Sequence, residues 1–127
     1  MPTSKLPRYA IIVAGGKGLR MGSALPKQFL PLAGRPVLMH TLERFARAVD
    51  EVILVLPEDH IIYWESLCQE YDFTLPIRLV LGGETRFHSV LSALRQLPKS
   101  GWVAVHDGVR PLVSQELIEA CFVQAEA

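Results

Sequence analysis

The chain has 127 residues, with 13 basic and 13 acidic side chains and a hydrophobic fraction of 50%. This length fits one domain, and the apolar content predicts a folded core and excludes general disorder. A formal net charge of zero argues against a protein that wraps nucleic acid, but not against one that binds a small phosphorylated ligand. Cys68 and Cys121 lack CxxC spacing, so we expect core or half-buried thiols and neither a disulfide scaffold nor a zinc site.

The polar N-terminal segment and the short apolar runs indicate where in the cell the protein is found. Residues 1–7 lack the apolar stretch of a signal peptide. The longest apolar runs in the chain are too short to span a bilayer. We therefore expect a cytoplasmic protein with no membrane partner and no nucleic-acid partner.

The first half of the chain alternates apolar runs with helical periods. Residues 9–14 form a continuous apolar run that ends in glycines, which is typical of a strand buried on both faces of a parallel sheet. A helical period of apolar residues follows over 38–49, and residues 52–56 predict a second strand that Pro57 ends. A weaker helical period covers 59–71.

The second half repeats this order. Residues 77–81 predict a third strand, and residues 102–106 predict a fourth. Helical periods cover 90–97 and 117–125, the latter with Ser114 as its expected N-cap. This alternation predicts an α/β fold with a Rossmann-like, three-layer α/β/α architecture and a mostly parallel sheet.

The loop after the first strand carries the strongest chemical signal. It reads Ala-Gly-Gly-Lys-Gly-Leu-Arg-Met-Gly over residues 14–22, and Pro-Lys-Gln follows at 26–28. Glycines let backbone N–H groups approach phosphate oxygens, and Lys17, Arg20 and Lys27 add cations in the same stretch. This combination suits a triphosphate better than a flexible turn whose charges are solvated.

Two common glycine loops do not match this spacing. The dinucleotide fingerprint needs a glycine where Met21 stands. The P-loop needs Ser or Thr after its lysine, whereas Lys17 is followed by Gly18. We therefore expect a phosphate-binding loop of another type.

Three ordered motifs resemble those of one enzyme family. The loop at 14–22 with Pro-Lys-Gln at 26–28 resembles the signature of nucleotidyltransferases with a GT-A-like, Rossmann-related fold. Within that group it is most similar to the 2-C-methyl-D-erythritol 4-phosphate cytidylyltransferases of the non-mevalonate isoprenoid pathway. Gly-Gly-Glu-Thr-Arg-Phe-His-Ser at 82–89 and Val-His-Asp-Gly-Val-Arg-Pro at 105–111 resemble two further motifs of that family.

The resemblance implies transfer of CMP from CTP to 2-C-methyl-D-erythritol 4-phosphate, a small polyol phosphate, with release of pyrophosphate. Arg20 and Lys27 are then the expected catalytic cations at the α-phosphate. Lys17 has the alternative of pointing to solvent. The nucleotide-binding residues expected in this loop are Ala14, Gly15, Gly16, Lys17 and Gly18.

The later motifs supply further expected nucleotide-binding residues. The resemblance implies that Gly82 and Gly83 contact the base, and glycine permits the close approach that this contact needs. Ser89 is expected at the base or ribose, with the alternative of an exposed helix residue or a bond to its own backbone. Asp107, followed by Gly108, is expected to bind Mg²⁺ or another divalent cation, the alternative being a bond to its own turn.

Several neighbouring residues have less defined expectations. Arg110 is expected to contact the phosphate of the acceptor substrate or a neighbouring subunit. Arg86 has two possible partners, the phosphates or Glu84. We expect His106 to be structural and His60 to lie at the surface.

Members of this family are considerably longer than the chain, and the full-length enzymes are homodimers. We therefore expect residues 1–127 to be the nucleotide-binding part of a single nucleotidyltransferase domain, truncated at its C-terminal side and with little or no transferase activity alone. Two competing interpretations remain. One is a ribitol-5-phosphate cytidylyltransferase, whose family shares these motifs, and the other is a nucleotide-binding fragment without catalysis.

Overall fold

The computed structural model describes residues 6–14, 26–98, 100–108 and 114–126. These residues contain six strands, four α-helices and one 3-10 helix, at Lys27–Phe29. In chain order the strands and α-helices are β1 Arg8–Val13, β2 Pro31–Leu32, β3 Arg35–Pro36, α1 Val37–Ala46, β4 Glu51–Leu56, α2 Glu58–Glu70, β5 Arg78–Leu81, α3 Arg86–Leu94, β6 Trp102–Asp107 and α4 Gln115–Glu126.

The four strands predicted from apolar runs form one parallel sheet in the order β5-β4-β1-β6. In the centre of this sheet Ile11 lies opposite Ile53 on one side and Val105 on the other. β1 and β4 are buried almost from end to end because each has a strand on both sides and helices on both faces. The continuous apolar pattern therefore indicated the position of these strands in the sheet as well as their existence.

Two apolar clusters, one on each face of the sheet, make the fold three-layered. The first joins alternate residues of β1 and β4 to α1, α2 and α4, and it includes Ile12, Leu54, Leu42, Trp64 and Phe122. The second joins the intervening strand residues to α3, and it includes Ile11, Ile53, Val55 and Ala93. The expected α/β/α architecture is confirmed. No helix in the described ranges is long and apolar enough to cross a membrane.

A short hairpin between β1 and α1 was not expected from the sequence. β2 and β3 pair antiparallel, and their turn places Ala33 at φ 51° and Gly34 at φ 85°. Two successive residues with positive φ are typical of a tight two-residue hairpin turn. Strands of two residues are too short to produce a visible alternation of apolar and polar side chains.

Helix α4 differs from its predicted burial. Ser114 caps it as expected, because its Oγ accepts the N–H of Leu117 at 3.0 Å. The buried residues of α4 are Ile118 and Phe122, whereas the expected core residue Cys121 is exposed. Only one face of α4 contacts the sheet, so the apolar residues beyond that face stay at the surface. Cys68 is half-buried as expected, and burial raises the pKa of its thiol.

Arg8 fastens α4 to the start of β1. Its guanidinium donates to the carboxylates of Glu126 at 2.9 Å and of Glu119 at 2.8 Å. It also lies 5.0 Å from the centroid of the Phe122 ring. The hydrogen bonds to the two carboxylates raise the pKa of Arg8 above its already high ordinary value, so the guanidinium stays charged in this link.

Candidate active site

A cleft of about 330 Å³ lies where the parallel strands end. Ligands of open α/β sheets bind at this edge, because the loops after the strands converge there. Six of the residues selected from the sequence line the cleft, namely Ala14, Gly82, Gly83, Ser89, Asp107 and Gly108. They come from three motifs that are distant in sequence, and the sheet order brings them together.

Other predicted site residues lie elsewhere. Lys27 occupies the 3-10 helix and has an exposed side chain, while its neighbour Gln28 lines the cleft. The predictions for six residues lie outside the described residues: Gly15, Gly16, Lys17, Gly18, Arg20 and Arg110.

Ser89 fixes the glycine loop that follows β5. Its Oγ accepts the N–H of Gly83 at 3.0 Å, and the N–H of Gly82 donates to the carbonyl oxygen of Leu56 at 2.8 Å. A Cβ at Gly83 would lie 2.5 Å from the Cβ of His88, so only glycine fits without movement of α3. Ser89 is buried, which contradicts the alternative of an exposed helix residue.

Asp107 and Arg86 form an ion pair that spans the cleft. Nη2 of Arg86 lies 3.3 Å from Oδ1 of Asp107. Arg86 therefore has a partner other than the phosphates or Glu84 that the sequence suggested. The two side chains are 58% and 40% exposed, and a pair with such exposure contributes about 1 kcal/mol or less. A charged ligand can therefore replace this contact at little cost.

The end of β6 is held by α1 through a residue that sequence reasoning missed. The hydroxyl of Thr41, a fully buried residue, donates to the carbonyl oxygen of Gly108 at 2.9 Å. A Cβ at Gly108 would lie 2.8 Å from Cδ1 of Leu38, so glycine allows the strand end to approach the helix. The sequence did carry a signal for this bond. Thr41 lies on the apolar face of a predicted helix, and a buried hydroxyl needs a hydrogen-bond partner.

The expectation that His60 lies at the surface is wrong, because its side chain is fully buried. Its ring packs edge-to-face on Phe29, with 5.5 Å between the ring centroids. The prediction missed this because the first turn of α2 begins with the exposed acids Glu58 and Asp59, which make the segment look solvent-facing. His106 has the expected structural environment, since its ring lies 4.9 Å from that of Phe45.

The residues at the cleft could bind a metal ion only together with a bound molecule that supplies further oxygen donors. In the described ranges no three His, Cys, Asp or Glu side chains cluster as a metal site would require. Asp107 offers one carboxylate at the cleft. Mg²⁺ commonly binds through one or two carboxylates together with substrate phosphates, so this donor set suits a cation that arrives with a nucleotide.

Comparison with known proteins agrees with this geometry. The family model for 2-C-methyl-D-erythritol 4-phosphate cytidylyltransferase (IspD) matches residues 9–127. A relative of that name from Porphyromonas gingivalis is 63% identical over 122 residues, covering 96% of this chain and 55% of the relative. One from Bacteroides fragilis is 56% identical over 120 residues, covering 93% of this chain and 55% of the relative.

A solved structure shows the same fold. The crystal structure of 4-diphosphocytidyl-2C-methyl-D-erythritol synthase from Anaerococcus prevotii is 33% identical and superimposes with a TM-score of 0.75. The match covers 95% of this chain and 51% of that one, so the chain spans about half the length of the relatives it matches. The expected nucleotidyltransferase fold is confirmed. Because the family model matches all but the first eight residues, the chain belongs to the 2-C-methyl-D-erythritol 4-phosphate cytidylyltransferase family.

Proposed function

We propose that this chain is the CTP-binding part of an enzyme that transfers CMP from CTP to 2-C-methyl-D-erythritol 4-phosphate and releases pyrophosphate. The observation that supports it most is the convergence of Gly83, Ser89 and Asp107 on one cleft in a chain of this family. Residues 1–127 are then the nucleotide-binding part of one domain. The whole protein is a cytoplasmic homodimer in this proposal.

The glycine loop after β5 recognises the base through its carbonyl oxygens. The N–H groups of Gly82 and Gly83 are already donated to Leu56 and Ser89, so the loop offers acceptors rather than donors. Cytosine carries an exocyclic amino group that donates to such acceptors, whereas uracil has a carbonyl in its place. The loop therefore discriminates CTP from UTP by the polarity of one group.

Electrostatic stabilisation is the main task of the remaining residues, because the attacking phosphate and CTP are both anionic. Lys27 and Arg20 are the proposed cations at the α-phosphate, where they stabilise charge that develops as pyrophosphate leaves. Alanine and glycine amides from Ala14 to Gly18 cradle the triphosphate. A guanidinium at the cleft, Arg86, adds a third positive charge.

The proposed cofactor is Mg²⁺ or another divalent cation, held by Asp107. The cation supplies charge neutralisation at the phosphates when it is bound. Asp107 would hold this cation in place of its ion pair with Arg86, and Arg86 would then be available to a phosphate oxygen. The family model and both curated relatives carry the methylerythritol name, which favours that acceptor over ribitol 5-phosphate. Arg110 is the proposed contact to the acceptor phosphate.

Calorimetric titration of the chain with CTP and UTP, each with Mg²⁺, tests the nucleotide part of the proposal. We expect CTP to bind and UTP to bind at least about tenfold more weakly, the ratio that follows from one mismatched hydrogen bond. Lys27→Ala weakens CTP binding, whereas Arg95→Ala, which removes an exposed cation at the far end of α3, leaves it unchanged. Equal affinity for the two nucleotides contradicts the proposed base recognition.

Pyrophosphate release with CTP and either acceptor tests the catalytic part. We expect little or no release from this chain alone, and release with methylerythritol phosphate but not ribitol phosphate from a protein with the full length of the relatives. Turnover by the chain alone at the rate of a full-length relative contradicts the proposal that it holds only part of the site.

A further inference from the structure

Two polar side chains are buried together beside the cleft. Gln28 is 2% exposed and His60 is fully buried. Nε2 of Gln28 lies 3.4 Å from the carbonyl oxygen of Ala14 and 3.4 Å from Nδ1 of His60. Polar groups are costly to bury, so their presence in a core needs an explanation.

The number of protons on the Gln28 amide determines which atoms of this group donate hydrogen bonds and which accept them. A carboxamide nitrogen carries two protons, so Gln28 can donate one to Ala14 and one to His60. Nδ1 of His60 must then be the acceptor, and the ring carries its proton on Nε2. Among the described residues no group accepts a hydrogen bond from this buried Nε2.

The group joins three elements that border the cleft. Ala14 follows β1, at the start of the glycine-rich loop, and its N–H donates to the carbonyl oxygen of Val55 in β4. Gln28 belongs to the 3-10 helix that carries Lys27. His60 lies in the first turn of α2.

Phe29, the residue after Gln28, strengthens the same connection. Its ring packs edge-to-face on Tyr63, with 5.1 Å between centroids, and it also lies against the rings of His60 and Trp64. The exposed Lys27 therefore precedes two buried residues, one tied to β1 and the other packed on α2.

We propose that Gln28 and His60 are a positioning pair that holds the backbone of Lys27 and the carbonyl of Ala14 in place for nucleotide binding. Neither side chain needs to touch the nucleotide. The pair acts through Lys27 and through the start of the loop, and this role rests on the proposed function. It explains why two polar side chains are buried together between the 3-10 helix and α2.

Two variants of His60 separate positioning from packing. In His60→Asn the amide oxygen takes the place of Nδ1 and can accept from Gln28, but the smaller side chain leaves a cavity. His60→Leu fills more of the space and offers no acceptor. Packing alone ranks leucine above asparagine, whereas positioning ranks asparagine above leucine. A third variant, Gln28→Met, removes the two amide N–H donors of Gln28 while keeping a side chain of similar volume.

The test measures the backbone order parameter of Lys27 by ¹⁵N relaxation in the ligand-free chain, and then CTP affinity with Mg²⁺. We expect high order at Lys27 in the parent chain and in His60→Asn, and lower order in His60→Leu and Gln28→Met. CTP affinity falls about tenfold in the latter two variants. Unchanged order in both, or losses that follow thermal stability across the set, overturn the proposal.

A measurement on the unaltered chain keeps the proposal testable if the variants do not fold. Long-range ¹H–¹⁵N correlation spectra report the tautomer of His60 directly. We expect a proton on Nε2 and none on Nδ1 at neutral pH, and a protonated Nδ1 overturns the pair. If the parent chain does not bind CTP, the proposed function fails, while the tautomer and the order of Lys27 still decide whether the pair positions that residue.

Discussion

Nη2 of Arg86 lies 3.3 Å from Oδ1 of Asp107, so the first residue of α3 is joined to the last residue of β6 across the cleft. The pair places a cation next to the carboxylate that is proposed to hold a divalent metal. If Asp107 holds a metal as proposed, we expect the metal and Arg86 to compete for this one carboxylate in the ligand-free protein.

Replacement of Arg86 by glutamine has opposite effects on two affinities. Free Mn²⁺ binds more tightly to Arg86→Gln, by up to about fivefold, because an exposed ion pair is worth about 1 kcal/mol or less. CTP with Mg²⁺ binds more weakly, because a cation at the phosphates is lost. Electron paramagnetic resonance measures the first affinity and calorimetry the second. Arg95→Gln changes neither, and a fall in Mn²⁺ affinity in Arg86→Gln argues against the competition.

Two glycine substitutions distinguish the base-binding loop from an ordinary turn. In Gly83→Ala the new methyl group meets His88, so the loop must shift and CTP affinity falls at least about tenfold. Gly34→Ala has open space around it but a φ of +85°, so it costs about 1 kcal/mol of stability and leaves CTP affinity unchanged. Calorimetry and urea unfolding measure both. Equal CTP affinity in the two variants removes the loop from the site.

The bond from Thr41 to Gly108 is expected to contribute to global stability. Thr41→Val keeps the shape of the side chain but leaves a buried carbonyl without this donor, at a cost of about 1–2 kcal/mol in the free energy of unfolding. Thr74→Val, at an exposed position outside the helices, is the matched control and changes stability by less than about 0.5 kcal/mol. Urea unfolding compares the two, and an equal change in both shows that the bond to Gly108 adds nothing.

The ion pair between Arg35 of β3 and Glu43 of α1 makes a pH-dependent contribution to stability. Hydrogen bonds from Arg35 lower the pKa of Glu43, so the pair stabilises the fold at neutral pH and loses its effect as the pH falls through that lowered pKa. Glu43→Gln is less stable than the parent chain at pH 7 by about 0.5 kcal/mol or less, since the pair is partly exposed. The difference disappears in acid.

The Arg35→Gln background is the control for this pH dependence. There the effect of Glu43→Gln on unfolding should vary much less between neutral and acidic pH, because the guanidinium that is the largest cause of the lowered pKa is gone. A pH-dependent difference as large in this background as in the parent chain assigns the effect to another group.

The sequence indicated the parts of the fold that depend on local pattern. Continuous apolar runs predicted β1 and β4, and motifs placed after strands predicted which residues line the cleft. The hydrogen bonds of Thr41 and the burial of His60 depend on contacts between elements far apart in the chain. His60 is buried because Phe29, brought by the segment after β1, covers it, and no periodicity within α2 shows this. The roles of Arg20, Lys27, Asp107 and Arg110 in catalysis stay predictions.

The central position of β1 has a consequence for biosynthesis. Ile11 is synthesised well before Val105, one of its two neighbours in the sheet. Until Val105 is made, one edge of the largely apolar β1 has no partner, and such edges template aggregation. Nascent chains of this protein are therefore expected to depend on chaperones that shield β1, and synonymous changes that slow translation before β6 should lower the soluble yield more than the same changes after it.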